Sequence, residues 1–419
     1  MGGSCRGGRA DASAVSTPGA GRIIVAAMTA DIVIVGGAMM GSSLAWWLTE
    51  QGHPPERVTV VERDPTYAAS GTAFSTSCIR QQFGNPLNVA VSRFGVETIR
   101  AFRDLLGDER VPPIHFHDFG YLYLAGDDAE ADRLRAAHAV QVAAGAGTEL
   151  MEPDALGARW GFFDLDGIVL GSHGARDEGY FDGTTMFDWW RRLARERGVR
   201  FVPGEVAGID APGGRVSGVA LSDGTRIGAD VVVNAAGTRG ARVAAMAGVA
   251  MPVEPRKRYT WVFEAETPLP VELPLTIDPS GVHVRQDGAW FMAGATPEVD
   301  PAVDPDDLAG DWDIWEDAVW PALAARIPAF ERIRVHRSWV GHYDLNTFDA
   351  NALVGPVSDG PDGFLMLNGF SGHGLQQAAA MGRGLAEWIT AGRYVSLDLA
   401  PFSPDRVMRG DPFPEAAVI

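Results

Sequence analysis

The sequence is poor in cysteine and in basic charge, and it has no long apolar run. Its two cysteines, Cys5 and Cys78, build neither a disulfide framework nor a zinc cluster and suit a reducing compartment, so a cytoplasmic location is expected. No stretch reaches the roughly 18 consecutive apolar residues of a membrane span. Lys and Arg number 35 against 54 Asp and Glu, a net charge of −19, which argues against nucleic acid and anionic membrane as partners. There is no internal repeat, and low complexity is confined to residues 1–29. Gly, Ala, Ser and Arg dominate there, and Asp11 is the single acid. A disordered tail is expected, although a transit peptide or a start at Met28 fits the same composition.

What is present is organised around residues 30–62. Four apolar residues, Ile32 to Val35, read as a buried parallel strand. The turn Gly36-Gly37-Ala38-Met39-Met40-Gly41 follows, and then a helix from Ser42 to Gln51. A strand–turn–helix of this kind offers backbone N–H groups and a positive helix end to a pyrophosphate. Ala38 stands where the G-x-G-x-x-G pattern has its middle glycine, so backbone approach is tighter by one methyl. A second strand, Val58 to Val61, ends in Glu62, 26 positions after Gly36, near the spacing of an acid that grips ribose hydroxyls.

From Arg63 to Phe83 the chain reads as a long loop rich in hydroxyls, with Ser70, Thr72 and Ser75 as candidate donors to a polar ligand. Arg80 lies in it, between Ile79 and two glutamines, and an arginine in apolar company has an anion or an ion pair to bind. Helices are expected over Leu87–Leu106, Asp127–Ala144, 183–197 and 306–326, the last carrying Trp312, Trp315 and Trp320 as core residues. Strands are expected at Phe119–Leu124, Arg200–Val206, Val216–Leu221 and Asp230–Asn234, with small residues after Asn234, including Gly237, where backbone can pass close to a cofactor. Residues 259–296 alternate like antiparallel sheet. Late in the chain a strand enters the turn Gly369-Phe370-Ser371-Gly372-His373-Gly374, and a helix leaves it from Gln376.

These pieces together resemble the D-amino-acid-oxidase-like (glycine/sarcosine oxidase) flavoprotein family, over about residues 30–400. The late G-x-x-G-H-G turn paired with Ile79-Arg80 is the specific part of the resemblance. Glu178–Asp182, Val253–Tyr259 and Ser371–Gln377 are similar to its FAD-dependent oxidoreductase domain-containing branch, whose mitochondrial member is implicated in respiratory complex I assembly. The resemblance implies an α/β fold: an FAD-binding domain of glutathione-reductase type (a Rossmann-like ββα sandwich) and a second, antiparallel-sheet substrate domain. The boundaries it implies are 30–110, 173–250 and 336–400 for the FAD domain, 111–172 and 251–335 for the substrate domain, and a C-terminal tail from 401.

The resemblance also implies roles. Arg80 matches the arginine that grips a substrate carboxylate, Tyr343 an aromatic at the substrate face, and His373 the histidine beside the flavin. Gln376 stands where oxidases of the family carry a lysine, and Thr296 about where sarcosine oxidases carry a pocket histidine. Cofactor contacts are expected from Gly36, Gly37, Ala38, Met39, Met40, Gly41, Glu62, Arg63, Ser70, Thr72, Ser75, Val206, Gly237, Gly372, His373, Gly374, Leu375 and Gln376. The FAD is expected to be non-covalent, because Gly341 occupies the position of the tethering cysteine and no histidine lies between His53 and His115. No metal is expected. The implied reaction oxidises the C–N bond of a small amino acid or amine, with O₂, a quinone or an electron-transfer protein as acceptor. Two other readings are an NAD-binding protein, which the late glycine turn disfavours, and an assembly factor in which FAD is structural.

Overall fold

The computed structural model describes residues 31–415 and the first two residues, so the expected N-terminal tail lies outside it. Short runs of Val and Ile, buried on both faces, make a six-stranded sheet. Its order is Leu353–Pro356, Phe364–Asn368, Val231–Asn234, Ile32–Val35, Val58–Glu62, Arg200–Pro203. All neighbours are parallel except the outermost pair, Leu353–Pro356 with Phe364–Asn368. These strands come from three separate stretches of the chain. The expected strand Arg200–Val206 is two strands. Arg200–Pro203 ends the parallel sheet, and Val206–Asp210 begins a three-stranded antiparallel one.

Helices Met39–Glu50, Gly183–Arg197 and Gly374–Ala391 pack on the parallel sheet around the fully buried Trp46 and Trp190. The expected helix Leu87–Leu106 is Pro86–Arg100 and Phe102–Leu106, broken at Ala101.

A second sheet has eight strands, and residues of both sheets line one cleft. Its longest members, Val253–Ala265 and Ile333–Asn346, pair antiparallel over nearly their whole length. Residues 306–312 are not helical as expected. Helix begins only at Asp313, and Trp315–Val319 is a π-helical turn; upstream, Asp306 and Asp307 are drawn into ion pairs. Of the three tryptophans, Trp315 is buried, whereas Trp312 is exposed and sets its edge against Tyr259 and Trp261.

The expected C-terminal tail is, through Glu415, part of the folded body. Phe402 is fully buried, and Arg406 makes a buried two-point ion pair with Asp349 at 2.6 and 2.8 Å. Glu415 accepts from the Gly84 N–H and from Nδ2 of Asn85 and Asn88, at the entrance to the helix that follows Arg80. These buried polar partners hold the chain end against the body.

Candidate active site

One cleft, with about 2280 Å³ of empty volume including its open mouth, runs between the two sheets. At one end the fingerprint turn forms it. Gly36 has φ +98°, and a Cβ there would meet the Ala235 carbonyl oxygen at 2.4 Å, so only glycine fits the turn. The helix Met39–Glu50 starts at Ala38 with no side-chain cap, leaving its positive end to the cleft. Both carboxylate oxygens of Glu62 are fixed by backbone, from Gly37 N–H and Asp64 N–H at 2.8 Å each. The loop hydroxyls stitch this wall together. Thr72 accepts from the Met39 N–H, Ser70 caps the short helix Gly71–Phe74, and Ser75 accepts from the Ser77 N–H.

At the other end the helix Gly374–Ala391 begins at His373, again without a side-chain cap. Two helix starts, one of them met by a side chain only at the Met39 N–H, and a glycine cradle therefore share one cleft, a donor set suited to an elongated anionic dinucleotide such as FAD. Of the expected cofactor contacts, Gly37 and Gly41 do not line the cleft; the others do. Gly37 orients Glu62. Gly41 lets helix and turn approach, since a Cβ there would lie 1.9 Å from the Gly36 oxygen.

Arg80, Tyr343, His373 and Gln376 all line the same cleft. The Arg80 guanidinium is buried, with Cζ 4.7 Å from the centroid of Phe83 and Nη2 2.9 Å from Nε2 of His373. Arginine has only donors, so Nε2 accepts and His373 is a neutral imidazole with its proton on Nδ1. Gln376 accepts the Arg80 backbone N–H at 3.1 Å. Burial opposes the charge on Arg80, but the fields of Tyr123, Tyr121, Glu415 and Glu178 outweigh it and raise the guanidinium's pKa. Tyr343 sits against Gly372, where a Cβ would come within 2.4 Å of its ring, and its phenol is raised chiefly by burial.

Behind Arg80 stands Glu178, fully buried, accepting from the Gln81 N–H at 2.8 Å and from Nε2 of Gln82 at 3.0 Å. Burial pushes its carboxyl up to about 7. Asp344 is pushed up to about 6 by burial and holds the glycine turn through the Gly369 and Phe370 N–H groups.

Several lining residues escaped the sequence reading. Thr296 is exposed and does not line the cleft. Beside His342 and His373, the cleft is lined by His283, driven to about 4 by burial and then by Arg258 and Arg285. The hairpin that pairs His283 with Gly294 puts it there, and no local pattern signals that register. Arg258 also lines the cleft, stacked 4.8 Å over Tyr343. Its signal was the basic run Arg256-Lys257-Arg258, where alternation puts the two arginines on one face. An acidic strap, residues 300–307, is tied to basic residues that line the cleft. Asp300 pairs with Arg258, Asp304 with Arg242, Asp306 with Arg63 and Arg239, and Asp307 with Lys257. Arg63, expected on the cofactor, thus also ties down this strap.

A family model described as DAO, FAD dependent oxidoreductase, matches residues 31–388. The chain is 36% identical to FAD-dependent oxidoreductase domain-containing protein 1 of Bos taurus, over 93% of this chain and 87% of that protein. It is 28% identical to sarcosine oxidase subunit beta of Rhizobium meliloti (strain 1021), over 91% and 89%. Among solved structures, L-proline dehydrogenase from P. horikoshii aligns with a TM-score of 0.79 at 26% identity, covering 92% of this chain and 100% of that one. Glycine oxidase from Geobacillus kaustophilus shares the fold, with a TM-score of 0.75 at 18% identity over 89% and 98%. The chain belongs to the DAO family of FAD-dependent oxidoreductases, and FAD is its cofactor.

Proposed function

We propose that this oxidoreductase oxidises the C–N bond of a small amino acid, secondary or primary, to an imine that water then hydrolyses. The observation that carries the reading is Arg80, a buried guanidinium lining the cleft and aligned by His373, Phe83 and Gln376. A guanidinium fork holds a carboxylate by two charge-assisted bonds and so fixes the α-carbon next to it. Bound FAD supplies the two-electron acceptor for the hydride that leaves that carbon. The amine must be neutral when the hydride leaves, and free amines have pKa values of roughly 8–10. Cations on the cleft wall, Arg80 and Arg258, disfavour an ammonium and move the amine toward that state. His283, held neutral at pH 7, adds an acceptor rather than a charge. Relatives named for sarcosine and L-proline, both secondary amino acids, support the same substrate class.

The same site speaks to the electron acceptor. Gln376 puts a neutral amide, already bonded to the Arg80 backbone, where oxidases of the family carry a lysine. His373 is neutral, and a bound carboxylate offsets Arg80, so little fixed charge favours superoxide formation. The reading is therefore of an enzyme slow with O₂ and faster with a quinone or dye.

The test is anaerobic mixing of the yellow protein with N-methyl amino acids, proline and primary amino acids. Bleaching of the flavin with release of the matching carbonyl product supports the reading. A fully FAD-loaded protein that none of them bleaches overturns it and favours a structural role for FAD. For the acceptor, Gln376→Lys is expected to speed reoxidation in aerated buffer at least about tenfold. An unchanged rate shows that the missing charge is not what slows O₂.

A further inference from the structure

We propose that the cleft holds a second anion subsite, built on Arg258, and that the substrate is an acidic amino acid or its N-alkyl derivative whose second carboxylate binds there. The inference rests on the reading of Arg80 as the α-carboxylate clamp. Arg258 pairs in register with Gly341 on the neighbouring strand, and Tyr343, two residues on, shares that face. The guanidinium plane is fixed by stacking over the Tyr343 ring at 4.8 Å. Arg80 lines the same cleft, and its charge, like that of Arg258, pulls the Tyr343 phenol downward against burial.

The bonds Arg258 makes all leave from Nη1, to the Lys257 carbonyl at 2.7 Å and to Asp300 at 3.0 Å. Nε is buried and has no hydrogen-bond partner among the described residues. The edge formed by Nε and Nη2 is the one that takes a carboxylate by two parallel bonds. A guanidinium whose side chain is only 11% exposed, with an unsatisfied N–H on that edge, is incomplete without an acceptor. Arg256 and Arg285 also have an unbonded Nε, but neither lines the cleft. A neutral amino acid would fill Arg80 and leave Arg258 unmet. A dicarboxylate fills both.

The test uses FAD-loaded protein and inert acids, read by the shift in flavin absorbance. Acetate is compared with the linear dicarboxylates malonate, succinate, glutarate and adipate. At least one dicarboxylate is expected to bind about tenfold or more tighter than acetate. Arg258→Gln should collapse that ratio toward one. Asp300→Asn, which frees Arg258 of its partner at Nη1, should widen it, and this variant serves if Arg258→Gln does not fold. A wild-type ratio near one for all four acids, or a ratio unmoved by both variants, overturns the proposal. The turnover arm separates the two readings by comparing N-methylaspartate and N-methylglutamate with N-methylalanine. If dicarboxylates bind selectively but nothing is oxidised, the oxidation reading falls and the subsite stands. If N-methylalanine is oxidised as efficiently as both acidic substrates, the subsite falls and the oxidation reading stands.

Discussion

Arg80 is useful because several neighbours fix it, not because it is charged. Phe83 holds the plane, His373 takes one N–H, and Gln376 takes the backbone N–H. Under the proposed role a carboxylate would meet a fork already oriented, so Arg80→Lys keeps the charge but loses the geometry. The expected loss in kcat/KM for amino acids is about 2–4 kcal/mol, roughly 30- to 1000-fold, with FAD still bound. Measuring kcat/KM beside the flavin content of the purified variant checks both parts. Glu178, which holds the Gln81 backbone and the Gln82 side chain, makes a different prediction. Burial, opposed in part by the hydrogen bonds from Gln82 and Gln81, raises its carboxyl from 4.5 to about 7. A carboxyl whose pKa rises on folding stabilises the fold fully below its unfolded value. That contribution is lost as pH climbs through about 7, and is worth about 3 kcal/mol in all. Between pH 5 and 8 the melting temperature of Glu178→Gln should therefore change less than that of the wild type. Parallel melting curves would refute the assignment.

At the scale of elements, the site depends on two helix starts facing one cleft. Their helices, Met39–Glu50 and Gly374–Ala391, touch closely: a Cβ at Gly382 would lie 2.3 Å from Ser43 Oγ and 3.1 Å from the Leu44 N–H nitrogen. Ser43 Oγ also donates to the Ala378 carbonyl at 2.7 Å, locking the crossing. Gly382→Val is expected to cost about 1–3 kcal/mol by overpacking. It should also weaken FAD binding, because both helix starts move together. Thermal melting and FAD titration of the apoprotein measure the two effects, and a stable variant with unchanged FAD affinity would show that the crossing does not set the site.

Across the whole molecule, cofactor and fold are coupled, since the cleft walls come from both sheets. Ligand binding to the native state alone adds about 2.7 kcal/mol of stability at a hundredfold excess over Kd. FAD should therefore raise the melting temperature of the apoprotein. The flavin should also leave the chain on acid precipitation. Gly341, where a tethering cysteine would stand, packs so closely on Phe74 that an added Cβ would lie 2.9 Å from the Phe74 Cβ. Yellow colour remaining in the denatured pellet would contradict this.

The sequence by itself determined the local pieces: the strand, glycine turn and helix at 32–50, the acid at Glu62, and the late glycine turn with its helix. In these, hydrophobic period and glycine position act over a few residues, where no distant partner is needed. Family likeness implied one site for Arg80, Tyr343, His373 and Gln376, and all four line one cleft, but no local pattern of the residues signals their meeting. Arg80 and His373 touch across 293 positions of chain. The misreadings have the same origin. Asp306 and Asp307 read as helix, but Arg63, Arg239 and Lys257 recruited them, as Arg258 and Arg242 recruited Asp300 and Asp304, into a strap. His283 was brought to the cleft by the register of one hairpin, and Glu415 was drawn in by Asn85 and Asn88. Long-range pairing and burial, which no short window of sequence encodes, decided these placements.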